Sequence, residues 1–196
     1  MKTRILLTSI FFALGAGAAS AQNTADTVQR DVNQQSRIEN GLKDGSLNTK
    51  EASRLEREQA KIDRLQAKDL KDGKLTPNER AHLRRAQDKA SRDIKTAETN
   101  NVKGDPNSAS SQRMQADVQR NANQEKRIEQ GVQAGTLTNR ETGQLERGQA
   151  NIDRKEAHAA KDGHVGQREQ RNIQRKENNQ SEEIFDKKHN AQNRKK

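Results

Sequence analysis

The stretch Lys71-Asp72-Gly73-Lys74-Leu75-Thr76-Pro77-Asn78-Glu79 carries a full set of signals for a turn between two helices. Its glycine can take the left-handed conformation that ends a helix, and its threonine can cap the next one. The proline then fits the first helical position and the glutamate the third, which completes a capping box, while the leucine is placed for a hydrophobic staple. The stretch therefore predicts a hairpin of two helices.

Three further stretches share this frame: Asp44 to Glu51, Ala134 to Glu141, and Asp162 to Glu169. In the last of them, Gly166 stands where the capping hydroxyl belongs. Between the turns, apolar residues recur every three to four positions, which is helical spacing, and no segment alternates as a strand does. The sequence therefore predicts an all-α protein. Its first half should hold three helices, over 27–43, over 49–71 and from Pro77 onward.

The chain repeats itself after 90 positions. Arg37-Ile38-Glu39-Asn40-Gly41 returns as Arg127-Ile128-Glu129-Gln130-Gly131, which indicates two tandem three-helix units. The glycine that ends each motif lies inside a predicted helix at a cost of about 1 kcal/mol, which leaves open an end one turn earlier. Turn-forming residues between the units predict a flexible linker. We divide the chain into a signal peptide (1–21), a first helical unit (22–100), the linker (101–111), a second helical unit (112–190) and a basic tail (191–196).

The N-terminus has the pattern of an export signal. Lys2 and Arg4 precede an apolar run, and Ala19-Ser20-Ala21 is a small-x-small motif of the kind that signal peptidase cleaves. We therefore predict cleavage after Ala21 and a periplasmic or secreted location. The chain has no cysteine, so the mature protein would be stable without disulfides.

The composition is polar and basic. The hydrophobic fraction is 28% and the formal net charge is +10, with both signs interspersed along the chain. The absence of tyrosine and tryptophan removes the usual base-stacking platforms, so nucleic acid is not an expected partner. The apolar stretches also do not predict a membrane span. If the excess positive charge has a function, we expect an unknown protein or an anionic envelope component, such as lipopolysaccharide or acidic phospholipid, as the partner.

The turns also resemble degenerate EF-hand loops, which gives a metal-binding hypothesis. The carboxylates and histidines that could serve are Asp44, Glu51, Asp72, Glu79, His158, Asp162, His164 and Glu169. The first and third loop positions, which supply carboxylates in an EF-hand, are Lys68 and Leu70 in the second turn. Helix capping explains the same glycine, leucine and glutamate without an ion. We therefore favour no metal and no cofactor at the turns.

Motifs for catalysis are not found. The sequence has no glycine-flanked nucleophilic serine, no His-Glu-x-x-His and no phosphate-binding glycine loop, so we predict a protein that is not an enzyme. A charged block, Glu56-Arg57 with Asp63-Arg64, is identical in both copies and is a weak candidate for a functional surface.

The two copies differ most in their last helix. Four alanines of the first copy correspond to charged or amide residues in the second: Ala81, Ala86, Ala90 and Ala97 face Arg171, Lys176, Gln180 and Lys187. Each exchange removes apolar area worth about 25 cal/mol per Å². We therefore predict that the second unit is less stable, with its last helix loosely docked.

The motifs Arg-Ile-Glu-Gln-Gly, Leu-Thr-x-x-Glu, Leu-Glu-Arg-x-Gln-Ala-x-Ile and Lys-Asp-Gly resemble those of uncharacterised exported proteobacterial helical-repeat proteins. A fainter resemblance, through Leu75-Thr76-Pro77-Asn78-Glu79, is to periplasmic stress proteins of the Spy/CpxP type. The first resemblance implies an architecture and no site. We expect an exported, non-enzymatic binding or scaffold module, with a Spy/CpxP-like stress or chaperone protein and a divalent-metal binder as alternatives.

Overall fold

The computed structural model describes residues 16–192, with side chains from residue 22 onward, and confirms the all-helical prediction. The predicted signal peptide therefore lies largely outside the described residues, as do residues 193–196 of the basic tail. The described part forms six helices. They are α1 (Ala16–Asp44), α2 (Thr49–Asp69), α3 (Pro77–Thr99), α4 (Ala109–Gln133), α5 (Asn139–Ala159) and α6 (Gln167–His189).

The four predicted turns form as the sequence indicates. Each contains a glycine with a φ between 71° and 92°: Gly45, Gly73, Gly135 and Gly163. Three turns then continue into a complete capping box, with N-caps Asn48, Thr76 and Thr138. At the fourth turn, Glu169 Oε2 accepts a hydrogen bond from the Gly166 N–H at 2.9 Å, but no side chain caps the helix in return. Local sequence therefore determines where these helices begin and end.

Neither interior glycine ends its helix early. Helix α1 continues past Gly41 to Asp44, and α4 continues past Gly131 to Gln133. The glycine is required by packing, because a Cβ atom at position 41 would lie 2.6 Å from Cγ of Leu47. The Leu47 N–H also donates to the Gly41 carbonyl at 2.8 Å, so the turn folds back directly onto the helix.

The most extensive packing in the described part joins the two copies to each other, α2 against α5 and α1 against α4. One apolar cluster combines Ile38 and Leu42 near the end of α1 with Met114 and Val118 near the start of α4, so these helices run antiparallel. A second cluster sets Val28 of α1 against the end of α4 in the same sense. Helix α3 lies on α1 and α2, and α6 lies on α4 and α5. The result is a four-helix core with one outer helix per copy.

The segment that joins the two copies packs against the first turn. Helix α4 already begins at Ala109, and the preceding loop is held against the first turn, where the Gly104 N–H donates to the Gly45 carbonyl at 2.9 Å. A Cβ atom at position 104 would lie 2.4 Å from the Leu47 carbonyl oxygen. The structure is thus compatible with two tandem three-helix units, which pack against each other through α1, α2, α4 and α5.

Equivalent polar contacts attach the outer helices in both copies. Gln34 Nε2 donates to the Gln87 carbonyl oxygen and to Ser91 Oγ, both at 2.7 Å. Its counterpart Gln124 donates to the Glu177 carbonyl oxygen and to Ser181 Oγ at 2.7 and 2.8 Å. The duplication thus preserves hydrogen-bonding residues as well as apolar ones.

Candidate functional site

The polar residues of the core are strongly biased in charge. Thirteen of the 28 Asp and Glu residues are buried, whereas no Lys or Arg is buried among the described residues. Ionised carboxylates are rarely buried unless they are paired, because desolvation costs several kcal/mol per charge. The core carboxylates are therefore the feature of this fold that most requires a chemical explanation.

Seven of these carboxylates lie on the four core helices, between the two apolar clusters at the ends of the bundle. They are Asp31, Glu56, Asp63, Glu125, Glu146, Asp153 and Glu156. Three of the seven come from the first copy and four from the second. Because the two copies pack face to face, residues from both contribute to a shared acidic layer.

Asp31, Asp63 and Glu146 form one group, which we call the Asp31 cluster. It joins α1, α2 and α5, and one carboxylate oxygen from each residue lies within 4.8 Å of the others. Gln66 and Gln87 donate to the two oxygens of Asp31, the latter at 2.7 Å. Two amide donors thus stabilise negative charge on this one carboxylate.

Glu56, Asp153 and Glu156 form a second group, the Glu56 cluster, in which carboxylate oxygens again lie within 4.8 Å. Gln35 Nε2 donates to Glu56 at 3.1 Å. Asn121 Nδ2 lies 3.1 Å from Asp153 Oδ1 and 2.9 Å from both oxygens of Glu156. The cluster joins α2 and α5, and the two amides that contact it come from α1 and α4.

The two clusters are equivalents of each other under the 90-residue repeat. Glu146 and Asp63 of the first cluster correspond to Glu56 and Asp153 of the second. Between copies the contacting pair changes from Asp31 with Gln66 to Asn121 with Glu156. The acid and the amide have exchanged positions, so each contact keeps one carboxylate and one amide. This compensation shows that the pairing itself is preserved.

Burial raises the pKa values of the core carboxylates. Burial raises the pKa of Asp31 to about 7 and that of Glu56 to about 8. The same desolvation, reinforced by neighbouring carboxylates, raises the pKa of Asp63 well above its usual range. It does the same at Glu125, Glu146, Asp153 and Glu156. The Asp63 and Asp153 carboxyls are close enough for each to act on the pKa of the other, which links the two clusters.

The predicted metal ligands of the turns serve other purposes. Oδ1 of Asp44, Asp72 and Asp162 accepts the N–H two residues further on, at 2.8 to 3.0 Å. The glutamates belong to the helix starts, where Glu51, Glu79 and Glu169 accept the N–H of the capping residue. His158 and His164 are not brought into any metal-sized group within the part of the chain that the structure describes. The geometry agrees with the capping interpretation.

The acidic residues of the charged block are buried in the core, and its arginines lie on the surface. Glu56 and Asp63 enter the acidic core, whereas Arg57 and Arg64 are exposed. The arginines line a groove between α2 and α5 with a volume of about 350 Å³. Its lining residues are Arg57, Ala60, Lys61, Arg64, Arg154, Ala157 and His158. None of them is acidic, so the groove presents positive charge to solvent.

Sequence analysis missed Asp31, Asn121 and Glu125 as core residues. The signal that could have found Asp31 and Asn121 is the acid-amide exchange between copies, since a paired change at positions 31 and 66 indicates contact, whereas no paired change marks Glu125. No family model, curated protein or solved structure matches the chain. None of the described helices combines the length and apolar character that crossing a membrane would require.

Proposed function

We propose that the chain is an exported, non-enzymatic binding protein that holds a phosphate-bearing component of the cell envelope on its basic surface. The observation that carries this proposal is the acid-free groove between α2 and α5. Arg57, Lys61 and Arg64 reach it from α2, and Arg154 and His158 from α5. Guanidinium groups bind phosphate through paired hydrogen bonds, which makes an arginine-lined groove suited to such a ligand.

The burial of acids strengthens the positive charge of the surface. The sequence intersperses both signs, but nearly half of the carboxylates turn inward, while no lysine or arginine of the described residues is buried. The exterior is therefore more basic than the formal net charge of +10 suggests. A second groove on α6, lined by Arg168, Arg171 and Arg175 with amide side chains, likewise contains no carboxylate.

A Spy/CpxP-like chaperone is the alternative proposal, and it requires a different surface chemistry. Clients with exposed apolar segments need apolar contact area. Among the described residues, only Val102 and Phe185 are exposed large apolar side chains. The surface therefore favours an anionic ligand over an apolar client.

The test compares binding of the mature chain to three kinds of particle: phosphatidylglycerol vesicles, phosphatidylcholine vesicles and lipopolysaccharide. We expect cosedimentation with the two phosphate-rich anionic particles, lost at high salt because screening shortens the range of the attraction. Reversing two groove charges with Arg57→Glu and Arg154→Glu should abolish it.

The matched control is Arg92→Glu with Lys95→Glu, which makes the same change in net charge on exposed positions of α3. It should retain most of the binding. Equal loss in both variants would show attraction by net charge alone and would refute a groove. Binding that survives the groove variant, or suppression of client aggregation without lipid binding, would favour the chaperone.

A further inference from the structure

The Glu56 cluster contains more oxygen ligands than its own hydrogen bonds use. Among the described residues, Oε1 of Glu56 and Oδ2 of Asp153 are buried without a hydrogen-bond partner. So are the amide oxygens of Gln35 and Asn121, which belong to side chains that contact the cluster carboxylates. An unpartnered buried polar atom costs about 1–3 kcal/mol, so two in the cluster and two on the amides beside it indicate that a partner is missing.

That partner must be positively charged. The cluster faces no lysine or arginine, because all described residues of those types are outside the core. Its carboxylates repel one another: Glu56 and Asp153 both act on Glu156. Protons or a bound cation can neutralise this charge, but one proton joins only two oxygens, whereas one divalent cation can contact all of the cluster oxygens at once.

The size and chemistry of the cluster suit a hard divalent cation. Two oxygens on opposite sides of such an ion are about 4.2 Å apart for Mg²⁺ and about 4.8 Å apart for Ca²⁺. The cluster oxygens lie within 4.8 Å of one another. Carboxylate and amide oxygens are the ligands that these ions and Mn²⁺ prefer, and no histidine or thiol is present to favour zinc or copper.

We propose that the Glu56 cluster is a buried site for a hard divalent cation, held by three carboxylates and by the amide oxygens of Asn121 and Gln35. In the structure the Asn121 NH₂ group faces Asp153 and Glu156. Rotation about its terminal bond exchanges NH₂ and oxygen, so the same side chain satisfies both the empty and the loaded cluster. This site is independent of the basic groove and of the turns.

Calorimetric titration of the mature, chelator-treated chain with CaCl₂, MnCl₂ and MgCl₂ at pH 7.5 tests the proposal. We expect saturable binding and a higher Tm with at least one of them. The Asp153→Asn, Glu156→Gln variant should bind more than about tenfold more weakly. Without metal it should be at least as stable as the wild type, because it removes repelling charges at constant volume.

The control variant is Asp72→Asn with Asp162→Asn, which removes two exposed turn carboxylates and should leave the affinity unchanged. Hydrogen exchange on the wild type provides a test that does not depend on any variant folding. Added cation should slow exchange in α2 and α5 around the cluster. No saturable binding by any of the three cations, loss of binding in the turn variant, or protection confined to the turns would each overturn the site.

Discussion

At the scale of the residue, Gly41 shows a tertiary contact overriding helix propensity. An interior glycine weakens a helix, yet here the side chain of Leu47 occupies the space where a Cβ would be. Gly131 and Leu137 repeat the arrangement, with a distance of 2.6 Å between the added Cβ and Leu137 Cδ1. The sequence signalled a weak helix end, but the glycine instead lets the turn pack against the helix.

Gly41→Ala should therefore destabilise the protein by about 1–3 kcal/mol, because overpacking outweighs the gain in helix propensity. Urea unfolding measures the change. The double variant Gly41→Ala, Leu47→Ala removes the clash and serves as the control: the cost of Gly41→Ala should be smaller in a Leu47→Ala background. A stabilising effect of Gly41→Ala alone would show that the contact is not tight.

Adjacent residues in the charged block also have opposite roles. Helical geometry turns each residue about 100° from the one before, so Glu56 can face the core while Arg57 faces solvent. Sequence comparison of the copies identified the block but could not orient it. Which residues of the block face the core depends on the side of α2 that contacts α5. Charged residues flank the apolar stripe of α2 on both sides, so the stripe alone does not identify that side.

At the scale of the element, the capping boxes and turns were predictable because they depend on residues within one short stretch. The pairing of α1 with α4 and α2 with α5 was not, because it depends on contacts between residues far apart in sequence. The replacement of α3 alanines by polar residues in α6 also did not reveal how those polar side chains pack. Gln180 replaces Ala90, but its side chain fills the space at Gly148, where the first copy has Glu58, and donates to the Leu145 carbonyl at 2.9 Å.

Helix α6 still differs from α3 in one costly way. Buried Gln87 donates to Asp31 and to the Thr27 carbonyl oxygen, whereas its counterpart Glu177 is a buried carboxylate near Asp117. Burial raises the pKa of Glu177 to about 8 and that of Asp117 to about 7, although Arg120 opposes both shifts. We therefore predict that ionisation at these positions lowers the stability of the second unit.

Both folded-state pKa values exceed those of the unfolded chain, so the stability from these groups is complete below about pH 4 and is lost as pH rises through about 7 to 8. Each titrating group contributes at most about 1.4 kcal/mol per pH unit. The variant Asp117→Thr, Glu177→Gln restores the first copy's residues and should make the free energy of unfolding in urea fall less steeply between pH 5 and 9, while the other core carboxylates keep their own pH dependence.

Hydrogen exchange locates the same effect. At pH 8 the amide of Ile184 should exchange faster than that of Ile94, although both side chains are fully buried. The double variant should narrow this difference. Parallel stability curves for wild type and variant, or equal protection of the two isoleucines at pH 8, would contradict a weaker α6.

At the scale of the whole molecule, the duplication produces one bundle from two copies that face each other. Each apolar cluster at the ends of the bundle combines residues of both copies, and so does the acidic layer between them. The internal repeat predicted an equal number of helices in each copy. It did not predict that the two copies share their apolar clusters and their acidic layer. A copy alone would expose Ile38, Leu42 and Leu55 together with the buried carboxylates.

An isolated first unit, residues 22–108, should therefore not remain a folded monomer. Its contact face on α1 and α2 resembles the contact face of the second unit on α4 and α5. Two first units can therefore pair as a symmetric dimer. Analytical ultracentrifugation with circular dichroism should show helicity that increases with dimer formation.

The second unit, residues 109–192, supplies four of the seven carboxylates in the acidic layer, so its own dimer would bury eight. We therefore expect it to dimerise more weakly at pH 7.5 than the first unit, whose own dimer would bury six. A first-unit fragment that is monomeric and fully helical at micromolar concentration would contradict the interlocked bundle. Equal self-association of both fragments would instead show that the carboxylates stay protonated at this pH and impose no repulsion on the core.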